Sequence, residues 1–116
     1  MDQRYQYYCR PGYGSNNLLI EFFSVKEGTS FFNILYDALK SMKCNVKGTT
    51  DLFMNDEVLL SISSTSGDFE ISTDIYDNAF IIADDNQEAI TTIDCILQDD
   101  IRFEKVAVDF DKYKLQ

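Results

Sequence analysis

The amino-acid sequence predicts an α/β (α+β) fold: a single, mostly antiparallel sheet carrying two packed helices, in the approximate order β-α-β-β-β-α-β. Three observations lead there. Two segments repeat apolar residues at helical spacing, and residues 58 to 75 alternate apolar and polar on either side of a Ser-Gly-Asp turn. The third is length: 116 residues bury one modest core and leave no room for a second, so residues 1–116 form a single domain.

Taken in order, Tyr5 to Cys9 reads as a short strand ended by the turn signal Arg10-Pro11-Gly12-Tyr13-Gly14. Leu18 to Val25, apolar on both faces, reads as an interior strand that Gly28 breaks. Thr29 or Ser30 is placed to cap a helix near 31–43, because Phe31, Ile34, Leu35, Ala38, Leu39 and Met42 fall on one face. Residues 45 to 57 read as a loop around the apolar triplet Leu52-Phe53-Met54. Val58, Leu60 and Ile62, then Phe69, Ile71, Thr73 and Ile75, alternate across Ser66-Gly67-Asp68 and make a hairpin. After the turn Asp77-Asn78, Ala79 to Ala83 is apolar throughout, as expected of a strand covered on both faces. A helix near 86–98 buries Ala89, Ile90, Ile93, Ile96 and Leu97, and Cys95 is expected to pack with them. Arg102 to Phe110 closes the fold as a strand.

Two aspartate pairs bracket that second helix. Asp85-x-x-Glu88 has the spacing of a capping box, so Asp84-Asp85 has a local explanation at the helix start. Asp99-Asp100 stands at the helix end, where negative charge opposes the dipole, and has no such explanation in the sequence.

Composition excludes several classes. Hydrophobic residues at 45% and aromatic residues at 14% of the chain exceed what a disordered chain carries. No apolar run reaches the roughly 18 residues of a membrane helix, and the first residues lack a signal-peptide pattern, so a cytoplasmic protein is expected. Cys9, Cys44 and Cys95 match neither a disulfide framework nor a metal motif and are expected to stay reduced. Histidine is absent, which removes Cys-His and Ser-His-Asp mechanisms. The five glycines form neither GxGxxG nor a P-loop, and Asp84 to Glu88 lacks the ligand alternation of a calcium loop, so neither cofactor nor metal is expected. Tyr5, Tyr7, Tyr8 and Tyr13 beside Arg4 and Arg10 have the composition of a base-stacking platform, yet also of a tyrosine-rich edge strand. A net charge of −10 weighs against direct nucleic-acid contact.

That charge is uneven. Through residue 46 there are four acids and five bases; from residue 47 there are sixteen acids and five bases. Such a field attracts basic proteins and repels anionic membranes. The candidate partner surface is the outward face of the strand 69 to 76, with Glu70, Ser72, Asp74 and Tyr76 opposite the inward Phe69, Ile71, Thr73 and Ile75, and with Asp68 and Asp77 at its ends. A second candidate is the acidic loop 51 to 57, with Phe53, Asp56 and Glu57; a third is the pair Asp99 and Asp100.

The helix start ADDNQEAITTID, the helix end ILQDD and the closing segment IRFEKVAVDFDKY, in a small acidic chain without histidine, resemble the immunity proteins of bacterial contact-dependent growth inhibition and related polymorphic toxin systems. The resemblance is one of general pattern over residues 58 to 113. It implies a cytoplasmic monomer, not an enzyme, that binds and neutralises one cognate toxin domain, often a nuclease with a basic cleft. Two other classes stay open on the residues: a regulatory or adaptor module for another basic protein, and a small metal-dependent enzyme using the acidic cluster.

Overall fold

The computed structural model describes residues 5–11, 17–22, 31–52, 57–73 and 78–107; of 50–52 and 57 it describes the backbone alone. One mixed sheet of seven strands carries two helices on one face. In chain order these are β1 (Tyr5–Pro11), β2 (Leu18–Phe22), α1 (Phe31–Ala38), β3 (Asn45–Leu52), β4 (Glu57–Ser64), β5 (Gly67–Thr73), β6 (Ala79–Ile82), α2 (Gln87–Gln98) and β7 (Phe103–Lys105). The strands lie side by side as β3-β4-β5-β6-β2-β1-β7, antiparallel throughout except for the parallel β1–β7 pair.

The predicted fold class holds, and the sheet gains one strand at its margin, β3. β3 occupies a segment read as loop, and β1 runs on through Arg10 and Pro11. Proline is tolerated there because β7 pairs only with Tyr5 to Tyr7, so at Pro11 the ladder asks for no second bond beyond its pairing with Leu18.

Alternation of side chains defines the core. Tyr7 and Cys9 of β1, Ile20 and Phe22 of β2, Ile62 of β4, Phe69 and Ile71 of β5, and Ala79 and Ile81 of β6 are buried on one face. On them lie Phe31, Leu35 and Leu39 from α1 and its continuation, and Ala89, Ile90, Ile93 and Leu97 from α2, all in one cluster. The expected helix stripes are therefore the buried ones, with Ile34 and Ile96 packed at the margin. Phe31 sits edge-on to Tyr5 at 5.1 Å and to Phe22 at 5.0 Å, and Phe103 from β7 closes this aromatic group. Each such ring contributes roughly 1.5–3 kcal/mol by burial.

Local details depart from expectation for physical reasons. α1 ends at Ala38 and tightens into a 3-10 turn, Lys40–Met42, which Lys43 closes in the left-handed region (φ 54°). The amide of Thr65, at the β4–β5 turn, donates to Met42 O at 2.8 Å and ties that turn to the tip of the hairpin. β2 is described to Phe22 and β5 to Thr73, and the expected helix cap at Thr29 or Ser30 lies outside the described residues. β6 is buried on one face and only half-buried on the other, where Phe80 and Ile82 point. Cys95 is exposed rather than packed, since it shares the solvent side of α2 with Glu88, Thr91 and Gln98.

The capping box does not form. Asn86 is the residue before α2, and its side chain makes no cap bond within the helix. Its amide nitrogen instead donates to Ser66 O (2.8 Å) and Asp68 O (3.1 Å), fastening the β4–β5 turn to the start of α2.

Candidate functional site

That fastening builds a concavity. The β4–β5 turn, the end of β6 and the residues leading into α2 meet around a hollow of about 420 Å³. Its floor includes Ile62, Phe69, Ile82 and Ala83; its rim carries Asp68, Glu70, Asp84 and Asp85. Asp68 and Glu70 come from alternate positions of β5 and so share a face, with Glu70 registered between Ser61 of β4 and Ile82 of β6. All four carboxylate residues are exposed. Lys47 reaches in from β3 to Asp68, Nζ to Oδ2 at 2.6 Å. From residue 48 to residue 101 the chain has no lysine or arginine, so β4, β5, β6 and α2 contribute acids and no compensating base.

The charge of this rim is complementary to that of a cation. Four exposed carboxylates near the half-buried Ile82 suit a lysine or arginine whose alkyl stem packs on Ile82 while its head meets the rim. Exposed pairs contribute little each, roughly 0.2–1 kcal/mol, and their larger effect is on encounter rate. Among the described residues no three Cys, Asp or Glu side chains stand together as a metal site.

The structure places the sequence-predicted residues unequally. Asp68 and Glu70 lie together on the rim. Ser72, two positions on, is buried although it faces outward, being registered between the larger Leu59 and Phe80. Asp74, Tyr76, Asp77, Phe53 and Asp56 lie outside the described residues; Glu57 opens β4 by pairing with Leu52, and its side chain is not described. Asp99 and Asp100 stand at the far end of α2, roughly 18 Å from Asp85 at 1.5 Å per residue, and belong to a different surface.

Asp100 has the local partner that the sequence reading missed. Its Oδ1 accepts from the Arg102 amide and Nε, both at 2.9 Å, and its Oδ2 accepts from Arg102 Nη2 at 2.7 Å. The Arg102 hydrogen bonds hold the Asp100 carboxyl below its ordinary range despite partial burial. Arg102 also donates Nη1 to Asp37 Oδ2 at 2.9 Å, linking the end of α2 to α1. Asp99 stays exposed at the cap.

Sequence reasoning also missed Lys47, Asp84 and Asp85 as members of the concavity. The signal available was register: a hairpin turn and a strand end that meet at one helix start bring their flanking acids together.

A separate hydrogen-bond network joins β1, α2 and β7, buried at its Tyr7 end and exposed at the other. Tyr7, fully buried, donates its hydroxyl to Asp94 Oδ1 at 2.9 Å, and Asp94 Oδ2 accepts from Lys105 Nζ (2.8 Å) and Gln98 Nε2 (3.1 Å). Burial first, and then the bond to Asp94, push the Tyr7 phenol well above its ordinary value. Burial also raises the Cys9 thiol to about 11. Tyr7 and both Asp94 oxygens find their partners within the fold, so the arrangement serves to hold α2 against β1 and β7. On the face away from the helices, Arg10 Nε donates to Glu21 Oε1 at 2.8 Å and Nη1 to Pro11 O at 3.0 Å.

No helix among the described residues is long and apolar enough to cross a membrane. Compared with protein-family models, curated proteins and solved structures, the chain gives no match.

Proposed function

We propose that this chain is a toxin-neutralising immunity protein that acts in the cytoplasm by binding a basic toxin domain, foremost a nuclease. The observation that carries this reading is the concavity rimmed by Asp68, Glu70, Asp84 and Asp85 in a stretch free of bases from 48 to 101. A nuclease binds phosphates through lysine and arginine, and a carboxylate rim offers those side chains an alternative to phosphate. Steering by the net charge raises the association rate, while the apolar floor slows departure. No chemistry is asked of this chain.

The test is co-expression with the toxin domain encoded directly upstream of this gene. The reading expects restored growth and a one-to-one complex on gel filtration; toxicity unchanged by co-expression, with no complex, would sink it. Within that complex, Glu70→Lys combined with Asp84→Lys should leave folding within about 0.5 kcal/mol of wild type, because both side chains are exposed. The same pair should slow association, and the gap to wild type should widen as salt is lowered.

A further inference from the structure

Among the described residues β3 forms one margin of the sheet and pairs with β4 alone, and its eight residues contrast with the three of β7 at the other margin. Asn45 to Thr49 are all exposed, Val46 at 51%. A register shift between Val46 and Gly48 marks a bulge, a device that twists an edge away from strangers. Beyond it the ladder runs regularly through five pairs, Gly48↔Ser61 to Leu52↔Glu57. Nothing among the described residues lies within 4 Å of where a Gly48 side chain would begin, so the sheet face is uncrowded beside this edge. Lys47, the one base on this strand, is drawn over β4 to Asp68 rather than guarding the edge.

An open, regular edge is a template for a further strand. The charge decides which strand. A second copy would bring another net −10 to a margin already bordered by base-free β4, β5 and β6, whereas a basic segment is attracted. We propose that the β3 backbone from Gly48 to Leu52 is the docking edge for an extended segment of the partner with lysine or arginine at alternate positions. For the partner's charge this rests on the toxin-binding reading; the edge itself does not.

The experiment uses the full chain, isotopically labelled, and two short peptides alternating lysine and valine. One has free backbone amides; the other, of equal charge, is N-methylated on alternate amides along one edge. The free peptide should shift the backbone resonances of 48–52 and slow their amide exchange, and N-methylation should weaken binding roughly ten-fold or more, the loss expected from one or two hydrogen bonds. Equal affinity of the two peptides, or perturbation confined to Asp68–Asn86, would overturn the proposal in favour of charge alone. Protection of 48–52 on raising protein concentration without peptide would overturn it in favour of self-pairing. None of these outcomes touches the toxin-rescue test, which is read on the toxin itself.

Discussion

The side-chain amide of Gln87 pairs with Leu18 as a neighbouring strand would: Leu18 N donates to Gln87 Oε1 at 2.6 Å, and Gln87 Nε2 donates back to Leu18 O at 3.1 Å. The same nitrogen reaches Ala83 O at 3.0 Å. The first residue of β2 is thus satisfied by the first residue of α2, and the end of β6 is held in the same clasp. Gln87→Ala should destabilise the fold by about 1–3 kcal/mol, because Leu18 loses partners for both backbone groups. Gln87→Glu keeps the acceptor, loses both donations and sets a carboxylate against two carbonyls, so it should rescue nothing. Urea unfolding of the two variants checks this; a wild-type midpoint for Gln87→Glu would contradict it.

Gly67 and Asn86 form a coupled pair. Gly67 has φ 98°, which side chains disfavour, and a Cβ there would stand 2.5 Å from Asn86 Nδ2. Gly67→Ala should cost about 1–3 kcal/mol from backbone strain plus displacement of the Asn86 clamp. In a double-mutant cycle with Asn86→Ala the two costs should fall short of adding, because the collision disappears with the Asn86 side chain. Strict additivity would show that the clamp and the turn are independent.

Asp100 gives the fold an acid-sensitive component of known sign. Its folded-state pKa lies below the unfolded value of about 3.9, so its contribution is complete above that pH and is lost as pH falls through the folded value. Asp100→Asn should be less stable than wild type at neutral pH, and the difference should shrink as pH drops below about 4. Thermal unfolding across that range measures it; a gap that grows on acidification would refute the assignment.

The thiols should separate by reactivity. Cys95 is exposed, Cys44 half-buried and Cys9 buried with its thiol raised to about 11. In the native protein at neutral pH an alkylating reagent should modify Cys95 first and Cys9 last, because the thiolate is the nucleophile and must be reached. Peptide mapping after timed alkylation reads the order. Cys95→Ser should leave stability nearly unchanged, since the side chain adds nothing to the core.

Segments with strong periodicity were readable. Phe31, Leu35, Leu39 and Met42, then Ala89, Ile90, Ile93 and Leu97, lie in the core as their spacing requires, and Gly67 turns the hairpin that alternation places around it. β3 was unreadable because it is an edge: Asn45 to Thr49 face solvent, so Lys47, Gly48 and Thr49 carry no apolar alternation and the strand exists through its pairing with β4. The aspartate pairs show the same limit. Spacing offered Asp85 a cap, but the clamp belongs to Asn86, whose partners lie twenty and eighteen residues away. Asp100 answers to Arg102, two residues on, in a turn that charge patterning along a helix does not register. Of the candidate surface, acidity was legible and place was not, because only tertiary register brings Asp68 and Glu70 beside Asp84 and Asp85.

The parallel pairing of β1 with β7 sets the order of events during synthesis. Gln6 Nε2 donates to Glu104 Oε1 at 3.0 Å across 98 residues, and the Phe103 ring packs at a tilt against Tyr5 and Phe22, both at 5.9 Å. A nascent chain therefore holds Tyr5 and Phe22 without their third ring until β7 has emerged from the ribosome. Contacts this distant in sequence slow folding, since the loop between them must close before they contribute. The β4–β5 hairpin and its acidic flank, joined by a two-residue turn, are local and assemble early. The hairpin side of the sheet can thus form its local contacts while the aromatic group at the other side still waits for Phe103.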